Sequence, residues 1–472
     1  MRSNLTYSLN EIAEIYDGPH ATPKKLEKGN AIFLSISSIE NGRLNLEKSS
    51  FISDDDFAKW TRRVTPQAGD VVFSYETKIG EASIIPEGLR CCLGRRMGLL
   101  RAKKNKVLPQ YLLYAYLSPA FQDVIREKTI HGSTTDRLSI KEMPSFKIEL
   151  PDIHTQKKAI KILSAIDNKL SKNTEINQTL EQMAKALFKS WFVDFEPVKA
   201  KMAVLEAGGS QENATFAAMT VISGKDADAV VGFEREHPEQ YAELKATAEL
   251  FPSAMHESEL GEIPEGWRVV DLSNVASLNT ESWSKKKSPE SVSYVDLANT
   301  KWGVINSTET YQFSDAPSRA KRILKPHDTI VGTVRPGNGS YAYISKTGLT
   351  GSTGFAVLTP KDKIFSEYVY LCVTSNESIE RLSHLADGGA YPAVNADVVL
   401  STQCVLPVER EKIEALLKMF SSRTEVFFSY RANNLDQNEV LSSIRDTLLP
   451  KILSGEITLP EAEQAISEVE NV

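Results

Sequence analysis

The stretch KILSAIDNKLSKNTEINQTLEQMAKALFKSWF, residues 161 to 192, spaces Leu163, Ile166, Leu170, Asn173, Asn177, Leu180, Ala184, Leu187 and Trp191 by alternating steps of three and four. Such spacing lines one helix face with an a/d seam, here apolar at both ends and polar in the middle. After Pro407 the same steps pick out Ile413, Leu416, Phe420, Arg423, Phe427, Tyr430, Asn434, Gln437, Leu441, Ile444 and Leu448, again with a polar centre. Reversing one helix leaves its midpoint opposite the other's, so the two suit an antiparallel coiled coil whose buried Asn residues set the register at some cost in stability. Two independent amphipathic helices, each packed on its own domain, are the alternative that the same spacing allows. As one helix, residues 157 to 193 would reach roughly 55 Å at 1.5 Å per residue.

The helices are the second part of a longer repeat. RRVTPQAGDVVFSYETKIGEASII (62 to 85) parallels KRILKPHDTIVGTVRPGNGSYAYI (321 to 344): a basic pair, Pro, an acid, a β-branched strand, a polar turn with Gly and a second strand. MGLLRAKKNKVLPQYLLYAYLS (97 to 118) matches TGFAVLTPKDKIFSEYVYLCVTS (353 to 375), and GSTTDRLSIKEMPSFKIELP (132 to 151) matches GGAYPAVNADVVLSTQCVLP (388 to 407). The openings YSLNEIAEI (7 to 15) and VDLSNVASL (270 to 278) agree as well. Each half is thus an α/β domain of alternating strands and helices followed by a long helix, and 472 residues are too many for one hydrophobic core. One turn of B-DNA is about 34 to 36 Å, so two domains held apart by such a ruler suit a bipartite DNA site.

Composition sets further bounds. The formal charge is −7, but residues 203 to 262 hold twelve acids against three bases, so the rest of the chain is +2. Basic clusters lie outside that segment, at Lys24 and Lys25, Arg62 and Arg63, Arg95 and Arg96, Arg101 to Lys106, Lys285 to Lys287 and Arg319 to Arg322. Polyanion binding needs such cations, while an acidic face would be repelled by DNA and point away from it or toward a protein. No apolar run approaches the roughly 18 to 20 residues of a membrane span, and the N-terminus lacks a signal-peptide core, so a cytoplasmic chain without a membrane partner is expected. Cys91, Cys92, Cys372 and Cys404 form no CxxC pair and are read as buried thiols rather than metal ligands.

ALFKSWFVDFEPVKAKM (186 to 202), then LFPSAMHESELGEIPEGWRVVDL (250 to 272), and the ending IRDTLLPKILSGEI (444 to 457) closely resemble the specificity (S, HsdS) subunits of type I restriction-modification systems. The resemblance spans essentially the whole chain, with the repeat and both motifs in order. It implies α/β (α+β) repeats in which two globular target recognition domains are separated by two long antiparallel coiled-coil helices, related by a pseudo-twofold internal repeat. On that reading the domains are 1–151 and 263–407, the spacer helices 152–197 and 408–449, the acidic linker or insert 198–262 and the C-terminal tail 450–472. Each recognition domain would read one half of an asymmetric, split sequence in double-stranded DNA. Two modification subunits would methylate adenine N6 with S-adenosylmethionine, and restriction subunits would bring ATP- and Mg-dependent translocation and cleavage, this chain binding no cofactor itself. One departure stands out: Gln156 follows Pro151, but Lys412 stands at that distance from Pro407, so the second helix is expected to start differently.

The missing motifs agree with a reader rather than a catalyst. There is no Asn/Asp-Pro-Pro-aromatic loop for a flipped adenine, no GxxxxGK[ST], no GxSxG and no HExxH. Asp54, Asp55 and Asp56 are read as a solvated turn or helix start rather than a nuclease site. Base reading would fall to loops rich in donors, acceptors and planar groups. In the first domain these offer Tyr75, Glu76 and Lys78, Arg95 and Arg96, then Thr134, Thr135 and Arg137; in the second, Arg335, Asn338 and Ser340, Ser352 and Thr353, then Tyr391 and Asn395. Phosphate anchoring is assigned to Lys24, Lys25, Lys285, Lys286 and Lys287. Trp191 belongs to the helix seam, while Phe188, Phe192 and Phe195 either pack on the second repeat or, with Trp191, receive a modification subunit; Pro197 is expected to end the helix. The competing reading is a protein-interaction adaptor whose coiled coil joins partners without reading DNA sequence.

Overall fold

The computed structural model describes residues 4–40, 42–132, 135–284, 286–389 and 391–454. They form two compact units, one built from the chain up to Asn173 and from Leu435 onward, the other from Thr174–Asn434. The division therefore cuts both long helices near their middles rather than at their ends.

Each unit contains the same α/β domain. In the first, an antiparallel sheet runs Ala13–Asp17, Met97–Ala102, Val71–Ser74, Ala82–Ile84; in the second, Ala276–Leu278, Phe355–Pro360, Thr329–Gly332, Tyr341–Tyr343. The inner strands VVFS and TIVG are buried at every residue, as β-branched side chains covered on both faces should be. A smaller sheet repeats too: Ser50–Ile52, Ala31–Leu34, Cys91–Leu93 against Glu309–Gln312, Ser291–Val295, Leu349–Ser352, with one parallel pairing in each and an extra edge strand, Ala320–Ile323, in the second. Paired helices follow, Pro109–Leu117 with Pro119–Lys128 and Ser366–Val373 with Asn376–Leu385. The domain is closed by its first and last strands, Leu5–Ser8 on Lys147–Leu150 and Trp267–Asp271 on Gln403–Pro407. All four cysteines are buried, and Asp54–Trp60 is a helix capped by Ser53, so the acidic triplet is a helix start.

The long helices are Ile153–Phe192 and Arg410–Ser454. Within the first unit Ile166 and Leu170 pack on Leu441, and the Asn173 amide donates to Gln437 Oε1 and Asn438 Oδ1, both at 2.9 Å. Within the second unit Asn434 donates to Asn177 Oδ1 at 2.8 Å, and Arg431 donates to Glu181 at 2.8 Å. Pairings that run 166 to 441, 173 to 437, 177 to 434 and 181 to 431 are antiparallel. Gln156 is fully buried at the first helix start: its Oε1 accepts from Leu108 N, and its Nε2 donates to the carbonyls of Lys106 and Pro151. Lys412 instead pairs with Glu409 in the open, so the two starts do differ.

Four expectations are corrected. The seam of the second helix shifts locally: Leu417, Phe428 and Arg431 are buried, whereas Tyr430 is exposed, because Phe428 is drawn onto Tyr343 and Tyr370 and Arg431 onto Glu181. Pro197 opens a helix rather than ending one. The first long helix stops at Phe192, Phe195 turns the chain in the left-handed region, and Pro197 sits in the first turn of Glu196–Glu206, where its missing N–H costs no hydrogen bond. The second helix continues past position 449 through Pro450 to Ser454, holding Leu448, Leu449, Ile452 and Leu453 in the core of the first unit. Finally, of the two readings of 198–262, linker or insert, the linker is the one corrected. Helices Glu196–Glu206, Gln211–Ser223, Ala227–Glu236 and Pro238–Glu249 bury Val198, Met219, Val230 and Leu244, and a hairpin Met255–Ser258 with Gly261–Pro264 follows.

That helical insert closes over the central aromatics. Trp191 lies 5.4 Å from Phe251 and 5.7 Å from Phe420, Phe192 packs edge-on against Tyr368 and Phe420, Phe188 meets Tyr368, and Phe195 meets Trp267. All four are buried in this core, so the partner contact expected of Phe188, Trp191, Phe192 and Phe195 has no exposed ring surface to use. Replacing Trp191 with Ala should therefore destabilise the second unit by about 3–5 kcal/mol, read by urea denaturation. Partner binding weakened at unchanged stability would contradict that assignment.

The two repeats hold their corresponding buried acids differently. Asp70 is held by Arg101, whose Nε and guanidinium donate at 2.9 and 2.7 Å, and by Gln67 N at 2.8 Å. Asp328 has the matching backbone bond from Lys325 N, but Thr359 stands where Arg101 does, and burial pushes the Asp328 carboxyl upward. A carboxyl raised in the fold favours its protonated form, so its contribution is present below the ordinary carboxylate range and is lost as pH rises through the raised value. Asp70→Asn should cost about 1–3 kcal/mol by leaving Arg101 imperfectly paired. Asp328→Asn should be neutral or stabilising at pH 7 to 8, with a flatter melting profile than the parent as pH rises above the ordinary carboxylate range.

Candidate nucleic-acid interface

In the first unit the turn after Val71–Ser74 meets the loop before Arg137–Leu138. Glu76 and Arg137 are bridged through their backbones, Leu138 N donates to Tyr75 O at 2.8 Å, and Tyr75 N donates to Arg96 O at 3.2 Å. Three stretches of sequence thus converge. Arg96 forms an ion pair with Glu76 at 3.1 Å, Arg95 and Arg137 are exposed, and Thr135 is half-buried beside them. Lys78 is half-committed, since its ammonium donates to the Ile39 carbonyl at 3.2 Å. Tyr75 is a correction: its ring is buried and its hydroxyl is pushed up by burial and by the Asp17 carboxylate, so it supports the loop from beneath. Thr134 lies outside the described residues. Lys24 and Lys25 are exposed on another element, next to the bridge between Leu26 and Phe51.

The second unit repeats the frame and changes the side chains. Val334 is bridged to Ala393, Arg335 N donates to Pro392 O at 2.7 Å and Val394 N donates to Thr333 O at 2.9 Å. Arg335 lays its guanidinium 4.7 Å over the ring of Tyr391, which is 70% exposed. A cation held over an aromatic face is ordered without losing its charge. Asn338, Thr353 and Asn395 are exposed, and Asn395 makes no side-chain cap to the helix Ala396–Leu400 that it precedes. Ser340 and Ser352 are corrected, being buried. Ser340 donates to Leu297 O and accepts from Lys301, and Ser352 accepts from Gly354 N. Lys286 and Lys287 are exposed, and Lys285 lies outside the described residues.

Two residues here escaped the sequence reading. Lys301 and Trp302 sit on the hairpin Thr300–Lys301 with Val304–Ile305, and Lys301 ties it to the Arg335 loop through Asn338 O at 3.4 Å and Ser340 Oγ at 3.1 Å. The only signal was KWGV (301 to 304), a tryptophan followed by glycine in a short polar segment. No group of three or more possible metal ligands occurs among the described residues.

Two stretches, residues 3–182 and 264–425, match the family model described as the type I restriction modification DNA specificity domain. The chain is 30% identical over 377 residues to the type I restriction enzyme HindI specificity subunit of Haemophilus influenzae, covering 76% of this chain and 80% of that one. It is 22% identical over 462 residues to the MjaIX specificity subunit of Methanocaldococcus jannaschii, covering 96% and 90%. The crystal structure of the type I restriction-modification S subunit from M. genitalium aligns over 95% of this chain and 96% of that one, at 12% identity and a TM-score of 0.48. This chain belongs to the family of type I restriction-modification specificity subunits, and its two matched stretches are DNA specificity domains.

Proposed function

We propose that this chain is the non-catalytic, sequence-reading subunit of a type I restriction-modification enzyme, and that each of its domains reads one half of a split, asymmetric DNA target. The observation that supports this most is the repeated loop pair. A shared backbone frame presents Arg95, Arg96 and Arg137 in one domain and Arg335, Asn338 and Tyr391 in the other. Like frames with different donors are what two unlike half-sites require. Arg335 can reach guanine O6 and N7, Asn338 or Asn395 can serve adenine, and Thr353 can meet a thymine methyl. Lys24, Lys25 and Lys286 would bind phosphates and fix position without reading sequence.

On this reading two modification subunits bring S-adenosylmethionine and the adenine-N6 chemistry, restriction subunits bring ATP- and Mg-dependent steps, and this chain holds no cofactor. The complex would work in the cytoplasm; none of the described helices is long and apolar enough to cross a membrane. With the central aromatics buried, the exposed apolar residues Met183 on the first long helix and Val426 and Tyr430 on the second are the better candidates for subunit contacts.

The test is selection from a random duplex pool by the chain purified with its modification subunits. One bipartite sequence should emerge, and exchanging residues 1 to 150 for another domain of the family should change one half-site alone. Affinity should fall on the order of 10³-fold between 50 and 200 mM salt if six or more phosphates are bound. Arg335→Ala should lower cognate affinity by about 5- to 150-fold, the equivalent of ~1–3 kcal/mol, and relax selection at one position of the half-site left unchanged by the exchange. A complex that binds every duplex equally would end this reading in favour of a protein-joining scaffold.

A further inference from the structure

The hairpin that carries Trp302 breaks a local rule, and the break has a seat built around it. Thr300 pairs with Ile305 and Lys301 with Val304, leaving a two-residue turn, Trp302–Gly303, with φ of +47° and +82°. Positive φ at both positions is the type I′ turn, for which Asn-Gly is the favoured pair and a bulky residue in first place is an outlier. In the first repeat the matching hairpin is Ile39–Glu40 with Arg43–Leu44, and the sequence between its strands is Asn41–Gly42. The second repeat thus puts its largest side chain where the turn prefers Asn, and leaves that residue 56% exposed.

Nothing in core packing calls for a tryptophan there, yet its surroundings are shaped to hold one. Trp302 N donates to Gly339 O at 2.7 Å and Gly303 N to Tyr341 O at 2.9 Å, while the indole meets Tyr341 edge-on at 6.0 Å. A Cβ added at Gly339 would lie 2.5 Å from the indole, so glycine is needed for the ring to rest on that loop. Beneath the turn, a Cβ at Gly303 would lie 2.7 Å from the hydroxyl of Tyr370 and 3.2 Å from Arg431, so the hairpin is seated on the ion pair of Arg431 with Glu181. Gly339 and Arg335 share one loop, and Arg335 covers Tyr391. An aromatic face is therefore held out, on a fixed backbone, beside the residues assigned to base reading. Strain kept by an over-determined frame at an exposed position points to function rather than stability.

We propose that Trp302 is a specificity-determining residue of the second domain, its indole lying against the apolar surface of a base in the half-site that this domain reads. The proposal rests on the DNA-reading function above and adds to it a contact by apolar surface rather than by hydrogen bonds. That surface is either a thymine methyl in the groove or the ring face of an unstacked base; both use the same indole chemistry.

The test uses the chain purified with its modification subunits, the target sequence found by selection, and the variants Trp302→Asn and Trp302→Phe. Trp302→Asn should weaken cognate binding by about 10-fold or more without lowering the melting temperature, since Asn suits the turn; Trp302→Phe should retain most of the affinity. Selection in the half-site read by the first domain should not change. Uracil in place of thymine that weakens the parent but not Trp302→Asn identifies the methyl contact. A 2-aminopurine duplex whose fluorescence rises with the parent but not with Trp302→Asn identifies the unstacked base. Unchanged cognate affinity in Trp302→Asn, equal losses on noncognate DNA, or a loss that tracks a lower melting temperature overturns the proposal while leaving the DNA-reading function standing. A parent complex with no sequence preference would overturn both.

Discussion

Buried amides in the middle of two long helices fix what the rest of the chain can do. Asn173 needs the side chains of Gln437 and Asn438, and Asn177 needs Asn434; a slip of one turn would leave these groups in the interface without partners. Leucine seams tolerate sliding far better, because apolar contact is non-directional. The polar centre therefore selects one register, and the register decides which end residues meet. In the first unit it puts Leu163 in the core that holds Leu448 and Leu453; in the second it puts Trp191 against Phe420. The domains inherit their footing from these helices, through Gln156 at the start of the first in one repeat and through Gly303 on the mid-helix Arg431–Glu181 pair in the other.

With the footing fixed, divergence is confined to side chains that the frame does not need. The sheets keep strand order and pairing, whereas the ion pair that holds Asp70 is gone at Asp328. The loop bridges keep their places at Glu76 with Arg137 and at Val334 with Ala393, but the charges around them change. A duplicated reader needs this separation. If the frame moved with each substitution, a changed side chain would not translate into a changed base preference, because a specific contact depends on donors held to within a fraction of an ångström.

Much of this was legible in the sequence, for reasons that also explain the misses. The repeat, the helices and the loop pair were visible because periodicity and turn residues are local signals, and the resemblance in the central motif added the family. Tyr75, Ser340 and Ser352 sit in polar stretches that read as surface, but Tyr75 follows a strand buried at every residue, Ser340 precedes the buried Tyr341, and Ser352 ends a strand buried from Thr350 onward, so all three are covered. Pro197 was read as a stop when the same fixed φ serves equally well as a start. The helices of the insert gave little signal because its acids line the outside of helices whose inner faces include the small residues Ala214, Ala218 and Ala248, so charge masked periodicity. Trp302 gave almost no signal, since its meaning lies in a backbone angle.

Backbone angles tie the candidate interface together. Among the described residues, seven non-glycine positions have positive φ, and four of them, Thr77, Arg96, Trp302 and Arg335, lie in the loops of the two domains assigned to reading. The left-handed region is disfavoured for side chains of this size, and it persists only where neighbouring contacts leave no alternative. For three of the four those contacts are visible: Arg96 O accepts from Tyr75 N, Trp302 N donates to Gly339 O, and Arg335 N donates to Pro392 O. Each of these residues is thus pinned through its own main chain, which sets where the side chain starts, and contacts with Glu76, Tyr341 and Tyr391 then hold the side chains of Arg96, Trp302 and Arg335. A loop relaxed into ordinary angles would be more stable but would aim the guanidinium or indole elsewhere, so the strain is best understood as the means by which a mobile kind of element, a surface loop, is made to hold one aim.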